Sequence, residues 1–162
     1  MGSGLIWKTG TGGSLGKTSM VHQQSRFDSY VAEYSRLRKL RNAACPFCVD
    51  QNGPLRNELA YVRVDKFAVS AGHMLVIPFR HVTDFFKLTN RERKAVTDLL
   101  VRARAFVEKK HSPDGYNIGV NIGEAAGQTI SHVHVHLIPR YKGDVPNPRG
   151  GVRAVIPGKQ SY

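Results

Sequence analysis

The run His132-Val133-His134-Val135-His136, continued by Leu137-Ile138, decides how the chain is read. Side chains alternate along a β-strand, so a strand over Ser131 to Ile138 sends His132, His134 and His136 to one face and Val133, Val135 and Leu137 to the other. Imidazoles are costly to bury without partners, whereas the Val/Val/Leu side suits a core. Three histidines at period two, following Gly127-Gln128-Thr129, point to a site rather than to a decorated solvent face. An imidazole is nucleophilic near neutral pH without an auxiliary base, and its attack on phosphorus gives a labile phosphoramidate. Neighbouring imidazoles then donate to the charge that builds on the phosphate oxygens.

Working outward, the element that covers the apolar side is a helix. Thr89 and Glu92 form a capping box, and Val96, Leu99, Leu100, Ala103, Phe106 and Val107 make one apolar stripe opposite a Lys/Arg face. A shorter amphipathic helix is predicted from Tyr30, Val31, Tyr34, Leu37 and Leu40, ending near Asn42. Strands are predicted at Ala60–Val64, His73–Ile77, Tyr116–Asn121, Ser131–Ile138 and Val152–Ile156. Strands gathered around one long helix, without regular βαβ alternation, predict an α+β fold with an antiparallel sheet of about five strands.

The 162 residues suit one core. Residues 1–27, rich in Gly, Ser and Thr, read as an extension without a core, leaving 28–162 as the folded domain. Within the extension, Gly10-Thr-Gly-Gly-Ser-Leu-Gly16-Lys17-Thr18 imitates a phosphate-binding P-loop, but Thr11 occupies the position of the first glycine. The 24 Lys+Arg against 12 Asp+Glu leave a net charge of +12, which favours phosphate-rich partners. That charge clusters at Arg36, Arg38, Lys39 and Arg41 and on the helix at Arg91, Arg93, Lys94, Arg102 and Arg104. A solvated basic face is favoured over a nucleic-acid groove. No stretch approaches a membrane span or the apolar core of a signal peptide, and a cytoplasmic, soluble protein is expected. His22 and His111 read as exposed residues. Cys45-Pro-Phe-Cys48 is a redox pair, a reduced structural pair or half of a zinc site.

With Ala126-Gly127-Gln128-Thr129 before the histidine run, Gly72-His73-Met-Leu-Val-Ile-Pro78 and Arg80-His81-Val82, the chain resembles the histidine triad (HIT) superfamily from about residue 45 to about residue 141. The resemblance implies a five-stranded α+β fold, commonly dimeric, that hydrolyses or transfers nucleoside monophosphate groups. It makes His134 the nucleophile, with His73, His132 and His136 around the phosphate. Asp65 matches a position that binds ribose hydroxyls, Asn121 one that contacts phosphate, and Gly127, Gln128 and Thr129 the surroundings of the phosphate and leaving group. The uridylyltransferase-like and phosphorylase-like branches carry Gln at the third triad position, so His136 favours hydrolysis. The tail Pro139-Arg-Tyr-Lys-Gly-Asp144 with Gly150-Gly-Val-Arg153 is similar to prokaryotic members described as diadenosine-tetraphosphate hydrolases. In several such relatives, the histidines matching His81 and His132 complete a closed, structural Cys2His2 zinc site with Cys45 and Cys48. One departure stands out: Arg63, two residues before Asp65, occupies a base-pocket position that is generally apolar, which puts adenine preference in doubt.

The expected function is therefore hydrolysis of dinucleoside polyphosphates, or related nucleotidyl conjugates, through a nucleotidyl-His134 intermediate in a homodimer. The alternatives are a nucleoside phosphoramidase, aprataxin-like removal of adenylate from DNA ends, and a nucleotide-binding protein whose catalysis is vestigial. Against the DNA reading, no further DNA-binding module follows the triad.

Overall fold

In this computed structural model the described residues are 45–161, all within the second of the two units, Ala43–Tyr162, into which the chain divides. The extension at 1–27, its P-loop-like stretch and the helix expected to end near Asn42 lie outside the described residues. Strands β1 (Leu55–Arg56), β2 (Ala60–Val64), β3 (Met74–Pro78), β4 (Gly115–Gly119) and β5 (Val135–Arg140) form one antiparallel sheet in the order β1-β2-β3-β5-β4. A single helical turn, α1 (Pro46–Val49), precedes the sheet, and the long helix α2 (Asn90–His111) crosses its back.

The capping box predicted for α2 is present in both directions, with Thr89 Oγ1 accepting from the Glu92 amide and a Glu92 carboxylate oxygen accepting from the Thr89 amide. The helix stops where Ser112 turns left-handed, immediately before Pro113. Its buried stripe of Val96, Leu99, Ala103 and Val107 packs on Ala60, Val62, Met74, Val76, Val135 and Leu137. Alternate residues of three neighbouring strands thus meet one helix face, and the residues between them are left for the opposite side of the sheet.

Two predicted strands differ in the structure. The histidine strand begins at Val135 rather than Ser131 and runs on to Arg140. Before it, the His132 amide turns back to the Ile130 carbonyl at 2.8 Å, and the Val133 amide donates to the Val82 carbonyl at 2.7 Å. Val133 consequently packs with Val82 and Leu88 in a small cluster of its own instead of under α2. The stretch Val152–Ile156 lies in a 3-10 turn, Gly151–Val155, because Gly150 and Gly151 enter it at φ 83° and 42°, which favours a turn over a strand. The fifth strand is instead β1, whose two residues pair Leu55 with Val62 and Arg56 with Tyr61.

Candidate functional site

The site is assembled on the side of the sheet away from α2. Pro46 at the first helical position starts α1, and the Cys45 carbonyl accepts from the amides of Cys48 and Val49 at 2.9 and 3.0 Å. This one turn presents both thiols together. Cys45 Sγ lies 3.4 Å from His132 Nδ1, and Cys48 Sγ lies 3.4 Å from His81 Nδ1 and 3.5 Å from His132 Nδ1. The four ligand atoms all fall within 4.8 Å of one another. A tetrahedral zinc with sulfur at about 2.3 Å and nitrogen at about 2.0 Å separates neighbouring S and N ligands by about 3.5 Å, so the spacing fits that ion. His132 Nε2 donates to the Pro78 carbonyl at 2.9 Å, which leaves the Nδ1 lone pair toward the thiols. Burial pushes the Cys45 thiol up to about 11 and His132 down to about 4, so both are neutral at pH 7 without a metal.

His132 is also the hinge between this cluster and the next residue of the triad. His134 Nδ1 donates to the His132 carbonyl at 2.8 Å, which fixes its tautomer and leaves Nε2 with its lone pair. His134 is buried, and burial lowers its pKa below the ordinary histidine value of 6.5. The Phe47 ring, between the two cysteines, packs edge-on against His134 at 5.2 Å and His132 at 5.9 Å. The turn that carries the thiols therefore also walls His134.

On the other flank, the Val69 amide donates to His73 Nδ1 at 3.3 Å. An amide can only donate, so the His73 proton is on Nε2, which lies 3.0 Å from His136 Nδ1. His136 accepts there and carries its own proton on Nε2, as a donor beside His134, whose ring is 5.1 Å away. Burial lowers both pKa values, that of His136 to about 4, although the Asp65 carboxylate opposes the shift in each. Asp65 Oδ2 lies 3.4 Å from His73 Nε2 and 3.8 Å from His136 Nδ1, while Oδ1 accepts from the Phe67 amide at 2.8 Å. Such a trio has the span of a divalent-cation site. A metal on His73 Nε2 would, however, place the ring proton on Nδ1, facing the Val69 N–H, so the hydrogen bonding favours a proton-sharing array.

The loop before the triad is braced internally. Gln128 Oε1 accepts from the Gly123 amide at 2.8 Å and its Nε2 donates to the Thr83 carbonyl at 2.9 Å. The Gly127 and Gln128 amides close the same turn on Glu124 and Gly123. Gly127 stands at φ 81° with nothing near its missing Cβ, so backbone conformation is what requires glycine there. Asn121 and Thr129 are half-buried beside this loop. The family resemblance implies that Gln128 and His132 surround the phosphate; here their side chains are occupied by the loop and by the thiol cluster. Phe47, the Val69 amide and the Pro78 carbonyl also contact the histidines, and none of them carries a sequence signature.

The HIT domain family matches residues 50–143. The chain belongs to the HIT domain family. The sheet, the long helix and the CxxC motif with its histidines are those of a HIT protein, and members of this family act as nucleotide hydrolases or transferases. This HIT protein is 32% identical over 90 residues to the "AP-4-A phosphorylase" of Mycobacterium tuberculosis, covering 55% of this chain and 46% of the relative. It is 42% identical over 92 residues to the "Bis(5'-nucleosyl)-tetraphosphatase [asymmetrical]" of Schizosaccharomyces pombe, covering 55% and 49%. The chain thus spans about half the length of these curated relatives. A Zn-bound histidine triad family protein from Mycobacterium smegmatis superposes with a TM-score of 0.57 at 30% identity, covering 64% of this chain and 80% of that one.

The basic face of α2 is largely internally paired. Lys94 meets Asp98 and Arg104 meets Glu108, while Arg102 donates to the Arg56 carbonyl. Among the described residues, no helix is long and apolar enough to cross a membrane.

Proposed function

We propose that this HIT protein hydrolyses dinucleoside polyphosphates, diadenosine tetraphosphate or a close analogue, through a nucleotidyl group carried on His134. One observation carries the reading: the 2.8 Å bond from His134 Nδ1 to the His132 carbonyl, which leaves Nε2 unprotonated within a buried, neutral triad. Nε2 attacks the terminal α-phosphorus, a P–N bond forms, and the P–O bond to the remaining polyphosphate breaks, its electron pair leaving on that oxygen. The His136 Nε2–H donates to the oxygens on which charge grows, and the His73–His136 contact at 3.0 Å holds it in that tautomer. Water then attacks phosphorus, the P–N electrons return to His134, and a nucleoside monophosphate departs.

Asp65, partly buried next to His73, serves the ribose hydroxyls, and Asn121, Gly127, Gln128 and Thr129 shape the phosphate end of the site. Cys45, Cys48, His81 and His132 would hold a zinc ion with all four positions filled, a structural clamp offering none to water. A homodimer and a cytoplasmic setting belong to the same reading, supported by the place of β4 at one edge of the sheet among the described residues and by two free thiols.

The relative named as a phosphorylase supports a second reading, in which orthophosphate rather than water takes the nucleotidyl group. Incubation of diadenosine tetraphosphate with the protein, with and without phosphate, separates the two. Hydrolysis yields AMP and ATP regardless of phosphate, and phosphorolysis yields ADP and ATP only with it. Turnover that survives in His134→Ala would overturn both.

A further inference from the structure

Strand β2 carries a guanidinium, that of Arg63, two residues before Asp65. Ala60 and Val62 enter the core under α2, and the alternate residues Tyr61 and Arg63 project to the opposite side. There the Tyr61 hydroxyl donates to the Phe47 carbonyl at 2.8 Å, and the Arg63 guanidinium carbon stands 6.0 Å from the Phe47 ring centre. The same ring contacts His134 at 5.2 Å. Asp65 continues the alternation and reaches His73 and His136. Across the sheet, Arg63 pairs with Leu75 and Leu75 with His136, so Arg63 lies two strands, roughly 10 Å, from His136.

A nucleotide held at phosphorus by His134 and at its ribose hydroxyls by Asp65 extends its base past the ribose, and its leaving phosphates in the other direction. Arg63 sits two residues, roughly 7 Å, along β2 from Asp65, which is the offset from ribose hydroxyls to base. Asp50 steadies one edge of the guanidinium, its carboxylate 3.4 Å from Nη2 and its carbonyl accepting from Nη1 at 3.4 Å. The side chain keeps 26% of its surface exposed, and a guanidinium has five N–H donors and no acceptor. Guanine offers it the paired acceptors O6 and N7, whereas adenine sets an amino donor beside N7.

We propose that Arg63 makes this site select 6-oxopurine nucleotides, guanine above all, over adenine nucleotides. The inference rests on the nucleotidyl-His134 reading for the placement of phosphate and ribose. A bidentate guanidinium–guanine pair discriminates by about tenfold to a hundredfold.

The test compares kcat/KM for diguanosine and diadenosine tetraphosphate, with diinosine tetraphosphate as a third substrate, in the wild type, Arg63→Leu, Arg63→Gln and Arg63→Lys. Guanosine and inosine substrates should exceed adenosine by about tenfold or more, and the ratio should collapse toward one in Arg63→Leu and Arg63→Gln. Arg63→Lys, which lacks the fork, should retain only a small part. Equal rates on all three substrates in the wild type, or a selectivity unchanged by Arg63→Leu, overturn the proposal. Equilibrium binding of GMP and AMP to His134→Asn gives a second readout independent of turnover, in which equal affinities again overturn it. Absence of turnover on every substrate with GMP still preferred would count against the catalytic reading alone.

Discussion

Glu92→Gln removes one negative charge and keeps the shape of a buried side chain that joins α2 to the segment just before His81. The carboxylate accepts from Arg80 Nε and Nη2 at 2.7 and 2.8 Å and from the Thr89 amide at 2.8 Å. It thereby ties the first turn of α2 to the segment that carries His81. The Arg80 bonds, ahead of those from Thr89, hold Glu92 at about 2, well below its ordinary value of 4.5, against the effect of burial. A depression of that size stabilises the fold by at most ~3 kcal/mol at neutral pH. The Arg80 side chain is 51% exposed, so solvent screens part of it and a loss of about 2 kcal/mol is expected. Because the folded-state pKa is depressed, this stability is present above pH 4.5 and is lost as pH falls toward 2. Urea denaturation of wild type and Glu92→Gln should give a gap of about 2 kcal/mol at pH 7 that shrinks by roughly half near pH 3.5. An identical gap at both pH values, or one under about 0.5 kcal/mol at pH 7, would refute the assignment of a charge-assisted clasp.

Two further outcomes are expected. Cys48→Ser removes the sulfur that faces both His81 and His132, and should abolish stoichiometric zinc in metal analysis of purified protein; retention of one tightly held zinc per chain would contradict the Cys2His2 assignment. Burial lowers the pKa of His134, and that of His136 to about 4, so the acid limb of kcat/KM should fall below the ordinary histidine value of 6.5; a midpoint at or above that value would contradict a buried, neutral triad.

The parts of this molecule that were legible in the sequence are those written in periodic side-chain chemistry. The stripe from Val96 to Val107, the Thr89–Glu92 box and the apolar residues of β2 and β3 each declare a face, and each occupies it. The edges were not legible. Leu55–Arg56 is too short for any periodicity, and Val152–Ile156 has the β-branched residues of a strand without the backbone for one, because two left-handed glycines precede it. The histidine run carries strand periodicity four residues ahead of the strand itself, since a backbone turn at Ile130–His132 decides where pairing begins. At the site, residue types announced which side chains were available, and the hydrogen bonds determine what each is occupied with. Period two put the three histidines on one side. The Pro78 and His132 carbonyls and the Val69 amide, which no side-chain pattern encodes, give them different partners: His132 turns Nδ1 to the thiols, His134 keeps its Nε2 lone pair, and His136 accepts from His73.

The central claim is that His134 Nε2 forms a bond to phosphorus. Brief incubation with diadenosine or diguanosine tetraphosphate, quenching under alkaline denaturing conditions that preserve phosphoramidates, and peptide mass spectrometry test it directly. The account predicts a nucleoside-monophosphate mass on the peptide containing His134, absent in His134→Ala. Turnover with no adduct in rapid-quench samples, or an adduct mapped to His132 or His136, would contradict it.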